Sequence, residues 1–153
     1  SQDPMMLPEG TVTTSQRGQI AMMFALVLAL VLSGLIALVG DVILLYEASG
    51  RYDNGALVGA QAGASQVDTA QLRLGVVVLE SARTIATCTE AASLTAGLPP
   101  SEVRCTVAAD GRSVTAHVGH RVPLLFAIFG PALSISREHT GRIAIGESQG
   151  TSP

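Results

Sequence analysis

The chain has 153 residues, a formal net charge of −3, and nine basic residues that are all Arg. That length holds one ordinary domain plus an anchor. The Arg residues are scattered singly, so the basic stripe of a nucleic-acid binder is missing and nucleic acid is excluded as a partner. Apolar residues make up 48% of the chain, and part of that content is gathered in one run near the N-terminus.

Ser1–Pro4 precede the pair Met5-Met6 and read as a cloning remnant at the head of an N-terminal leader, 1–18. From Ile20 to Gly40 there is no charged residue, and most positions are Leu, Ile, Val or Phe. At 1.5 Å per residue such a helix is roughly 31 Å long, which matches a hydrocarbon core of about 30 Å. The run predicts a transmembrane helix over 19–46. A removable secretory signal is the main alternative, but its apolar region covers only about 7–15 residues. A buried helix of a soluble domain is rarely apolar all round for this length. Arg17 before the segment and Arg51 after it leave the charge bias across the membrane weak.

Asp41 falls at the outer end of the run, where a solvated interfacial carboxylate is the leading expectation and a functional intramembrane charge the alternative. Tyr46 suits a headgroup-level anchor, and Glu47 and Arg51 are spaced i, i+4 in the favourable order. No proline occurs between Ser15 and Pro99. The pattern therefore predicts one helix over 19–66, roughly 70 Å long, with 47–66 as an extension beyond the membrane. On that extension Gly55, Gly59 and Gly63 recur every four residues beside Ala56, Ala60 and Ala64. Two such stripes permit close backbone approach, either against the chain's own second helix or against neighbouring subunits.

Residues 67–145 predict a small extracytoplasmic α+β head. Asp68 suits an N-cap and Gln71 the capping-box position, opening a second helix that runs to Ala96, with Leu72, Val76, Leu79, Ile85 and Ala86 on one face. Gly97 and Pro99-Pro100 end it. The period then becomes alternating: Val103, Cys105 and Val107, a turn at Asp110-Gly111, and Val114, Ala116 and Val118. An apolar insert, Pro123 to Phe129, is closed by Gly130-Pro131, and Leu133 and Ile135 begin a third strand. Residues 146–153 read as a flexible tail. The fold class is α+β: a long N-terminal transmembrane helix, a second helix, and a three-stranded antiparallel, pilin-like sheet.

Cys88 and Cys105 are the only cysteines, with no His near either in sequence, which argues against zinc. Paired, they would stabilise a small head by about 3 kcal/mol on the chain-entropy estimate and place it outside the cytoplasm. Two buried thiols are the alternative. No nucleophile elbow, phosphate-binding loop or His-Glu-x-x-His motif occurs. His117, His120 and His139 read as solvent-facing strand residues, with His117 and His120 on opposite faces. The chain reads as a non-enzyme without cofactor or metal.

Arg17-Gly18-Gln19-Ile20-Ala21-Met22-Met23-Phe24-Ala25-Leu26-Val27, the Val39-Gly40-Asp41-Val42 segment and the block from Asp53 to Ala64 together resemble TadE/TadG-like proteins of the Flp (tight-adherence) pilus. The likeness covers about residues 17–64, with a looser one over Val122 to Ile143. It implies a minor pilin or an anchored pseudopilin-like subunit, with other pilus-assembly subunits, a prepilin peptidase and the lipid bilayer as partners. The peptidase would cut between Gly18 and Gln19. Two positions depart from the family pattern. Met23 stands where processed pilins carry Glu, and Leu57 stands where the family has a later Asp. The resemblance implies a single pass through the inner membrane, with the head extracytoplasmic or carried on a surface pilus. The second reading is a single-pass protein, unrelated to pili, whose outer domain binds a ligand or partner.

Overall fold

The computed structural model describes residues 13–125 and 130–144. Residues 1–12, 126–129 and 145–153 lie outside the described residues, and with them the expected cloning remnant, most of the expected leader, the end of the apolar insert and the expected tail. Two compact units divide at Gly40 and Asp41, and the helix α1, Thr13–Ala64, belongs to both. In the first unit α1 presents its apolar side chains outward as far as Ile36, with Phe24 69%, Leu30 64% and Ile36 73% exposed, while Ala37 is buried. It is the one helix among the described residues long and apolar enough to cross a membrane.

The second unit is α+β. After the remainder of α1 come α2, Thr69–Arg73, and α3, Ser81–Ala96. A single 3-10 turn, Pro100–Glu102, leads into β1, Val103–Val107, β2, Ser113–Pro123, and β3, Ala132–Arg142. The sheet is antiparallel in the order β1-β2-β3, with Cys105 opposite Ala116 and Ala116 opposite His139. Alternation sets its faces: Val103, Cys105, Val114, Ala116 and Val118 are buried while Arg104, Thr106 and His117 are exposed. The turn from β1 to β2 bends at Gly111, whose φ of 65° is favourable only without a β-carbon. Its N–H donates to the Ala108 carbonyl.

The expected unbroken second helix from Asp68 to Ala96 is not what forms. Asp68 does cap a helix, accepting from the N–H groups of Ala70 and Gln71 at 2.8 and 3.2 Å, but α2 stops at Arg73. Gly75 takes a φ of 79°, and the chain then extends through Val76-Val77-Val78. Three consecutive β-branched residues lose side-chain freedom in a helix and favour the extended state. Here that state is satisfied: Asp68 N–H donates to the Val78 carbonyl, and Leu79 N–H to the Gly111 carbonyl on the β1–β2 turn. Helix α3 ends as expected at Gly97, in the left-handed region at φ 68°.

The core is built from small side chains. Ala48, Tyr52, Ala56 and Ala60 of α1 meet Cys88, Ala92 and Ala96 of α3 and Val103, Cys105, Val114, Ala116 and Val118 of the sheet.

Candidate functional site

The glycine stripe packs inside the chain. A β-carbon on Gly55 would lie 2.8 Å from Ala96 Cβ, one on Gly59 2.6 Å from Ala92 Cβ, and one on Gly63 3.0 Å from Cys88 Cβ. The partner numbers fall as the glycine numbers rise, so the two helices run antiparallel with their backbones in near contact. Of the two destinations open in the sequence, the chain's own helix takes the stripe. The complementary row is Thr84, Cys88, Ala92 and Ala96, all buried on one face of α3. Sequence reasoning missed it, although its four-residue spacing of small side chains matches that of the glycines.

Cys88 joins this seam to the sheet. Its sulfur is bonded to Cys105 on β1, with the Cα atoms 6.3 Å apart. The bridge sits where α1, α3 and the sheet converge, so one covalent link holds α3 against the strand beneath it while Gly63 presses on its other side.

Strand β3 closes over α1. A β-carbon on Gly141 would run into the Ala60 carbonyl oxygen and lie 3.1 Å from Ala64 Cβ. Further along, Arg137 Nε donates to Ser49 Oγ at 3.2 Å, and His139 Nε2 is 2.9 Å from Asp53 Oδ1. The spacing explains the match. Four residues of helix rise about 6 Å and two residues of strand about 6.6 Å, so Ser49 and Asp53 face Arg137 and His139 in register. The His139 and Asp53 side chains are 35% and 51% exposed, so water and salt screen the pair. His117 is solvent-facing, as expected. His120 and His139 are not: both turn toward α1, and the His120 ring meets Tyr52 edge to face at 6.4 Å.

Asp41 requires a second correction. A solvated carboxylate was the expectation, yet Asp41 is only 2% exposed. Its Oδ1 accepts the Leu125 N–H at 2.9 Å, while Oδ2 has no hydrogen-bond partner among the described residues. The turn after β2 folds over the carboxylate, which one-dimensional counting along a helix could not foresee. Tyr46 is 82% exposed. Gly18 and Gln19 lie on α1, exposed, and among the described residues no neighbouring atom comes within 4 Å of the β-carbon position of Gly18.

Among the described residues no three His, Cys, Asp or Glu side chains cluster as metal ligands would. The outer sheet face forms a shallow polar depression lined by Arg104, Thr106, Thr115, His117 and Glu138. The arrangement combines close helix contact, a covalent tie and a half-exposed polar seam. Compared with protein-family models, curated proteins and solved structures, the chain matches none.

Proposed function

We propose that the chain is a non-enzymatic structural subunit, a minor pilin or an anchored pseudopilin-like component, of a Flp-type pilus or a related secretion system. The observation that carries this reading is the single helix Thr13–Ala64. Its first part is apolar on every side; its later part is the spine on which α3 and the sheet are built. In this reading lipid solvates the first part, since bulky apolar side chains exposed over some twenty residues have no other stable solvent. The Cys88–Cys105 bridge supports an oxidising compartment for the head. The small-residue resemblance to TadE/TadG-like proteins supplies the pilus assignment, and Gly18-Gln19 the processing site.

With the glycine stripe occupied by α3, contact with neighbouring subunits falls to the apolar helix and the outer sheet face. The polar depression on that face is also the feature that would serve the second reading, an anchored ligand-binding domain.

Co-expression with a prepilin peptidase, followed by intact-mass spectrometry, tests the assignment. Loss of all residues through Gly18 supports a processed pilin, and an intact N-terminus restricts the reading to the anchored form. Extraction of the uncut protein from membranes by carbonate would remove both.

A further inference from the structure

We propose that the free edge of β3 is a docking site for a second copy of this chain, whose strand β1 adds to it in parallel with the partner's Arg104 beside Glu138. This rests on the reading of the chain as a subunit of a larger assembly and names a surface by which copies join. The strand order leaves β1 and β3 as the two edges of the sheet among the described residues. Pairing between β2 and β3 runs without a bulge from Ser113 opposite Arg142 to Pro123 opposite Ala132, and β3 holds neither proline nor lysine. Bulges, prolines and lysines are among the devices that ordinarily blunt a free edge. No residue of β3 is buried, whereas β2 buries Val114, Ala116 and Val118. Beside the strand lies an open groove, lined by Leu57 and Gln61 of α1 and by Thr140 and Arg142.

The register tells which backbone groups are free. Ile143 N–H donates to the Arg112 carbonyl, and Leu124 N–H to the Pro131 carbonyl. Bonded and unbonded pairs alternate along an antiparallel ladder, so the odd-numbered residues of β3 turn their N–H and C=O groups toward β2. Glu138 and Thr140 turn theirs to the open edge. On the other side Ala108 N–H donates to the Ser113 carbonyl, so Cys105 and Val107 present theirs outward from β1. Both edge strands run antiparallel to β2 and therefore parallel to each other. A copy in the same orientation meets β3 with its own β1, and copies anchored in one bilayer by the same helix share an orientation. Setting Glu138 opposite the partner's Arg104 completes the parallel pattern. Glu138 N–H then donates to the carbonyl of the partner's Val103, the N–H of the partner's Cys105 donates to the Glu138 carbonyl, and Thr140 repeats the step. Arg104, His117 and Glu138 already form one row across the outer face, and the partner continues that row with opposite charges adjacent. Sliding the strands by two residues would set Glu138 against the partner's Glu102. Because two different edges meet, the contact is heterologous and repeats from copy to copy, which suits a filament.

The test is charge exchange in the full chain, held in detergent. With no Lys in the sequence, donor and acceptor dyes attach selectively to the α-amine, and energy transfer between separately labelled pools reads association. Glu138 and Arg104 are exposed, so neither Glu138→Arg nor Arg104→Glu should alter the thermal melt. Wild type is expected to associate, and each variant alone to associate roughly tenfold more weakly, because like charges then meet at the edge. Mixing the two variants should recover wild-type transfer, since each contact between unlike variants again joins opposite charges. A monomeric wild type, or a mixture that does not recover, would overturn the proposal. Undiminished association of both variants would move the contact to another surface, which also overturns it. If Glu138→Arg weakens association and Arg104→Glu does not, β3 has a different occupant and β1 falls. Carbonate extraction of the wild-type chain from membranes reads the anchor separately: should the chain wash off while the charge exchange behaves as expected, the edge contact stands and the anchor falls.

Discussion

Gly59→Ala tests the antiparallel seam most directly, because two opposing effects have different signs there. At an unobstructed helical position, replacing Gly by Ala stabilises by about 1 kcal/mol. At Gly59 the new methyl would meet Ala92 Cβ at 2.6 Å and the Cys88 carbonyl oxygen at 2.9 Å. Neither obstacle can rotate away, and α3 cannot retreat freely because Cys88 is bonded to Cys105. Overpacking of this kind costs about 1–3 kcal/mol, and the rigid surroundings favour the upper end. The net loss is then about 2 kcal/mol, which lowers Tm by roughly 8–16 °C in a head of about a hundred residues. Gly50 supplies the control. It lies on the same helix with no atom within 4 Å of its β-carbon position, so Gly50→Ala should raise Tm by roughly 4–8 °C. The assay is thermal unfolding of the full chain in detergent, followed by far-UV circular dichroism and by protease susceptibility of the head. If Gly59→Ala raised Tm as much as Gly50→Ala, the seam between α1 and α3 would be wrong.

Replacing Cys88 and Cys105 together by Ala should cost about 3 kcal/mol, read as a matching loss of Tm that reductant reproduces in the wild-type chain; an unchanged melt would mean that the bridge does not form. Gly97 ends α3 at φ 68° with open space around it, so Gly97→Ala should cost about 1 kcal/mol through backbone strain alone. Gly97→Asn should recover part of that loss, since Asn tolerates the left-handed region better; equal melts for the two variants would contradict a conformational origin.

Local patterns were legible where one-dimensional physics decides them. The uncharged run from Ile20, the caps at Asp68 and Gly97, and the strand alternation around Cys105 and Val114 each follow from propensity and period, which act between near neighbours. The break at Gly75 has a local contribution, since the β-branched run Val76-Val77-Val78 weakens a helix there, but only the docking of Leu79 on the β1–β2 turn makes extension the better state. Three-stranded pairing was visible in outline, while the register that sets Ala116 against His139 was not.

By itself, then, the sequence determined most of the helix and strand segments, though not the break between α2 and α3, and that a long apolar helix leads the chain with small residues along its later turns. Tertiary structure decided what those residues touch. The glycine stripe carries no label for its partner, since α3 or another subunit would each welcome the same flat surface. Only the converging row of Thr84, Cys88, Ala92 and Ala96 settles the choice. Asp41 is the sharper case. Its position along the helix says water, but the turn that returns 84 residues later covers it, because burial depends on distant chain that no local window contains.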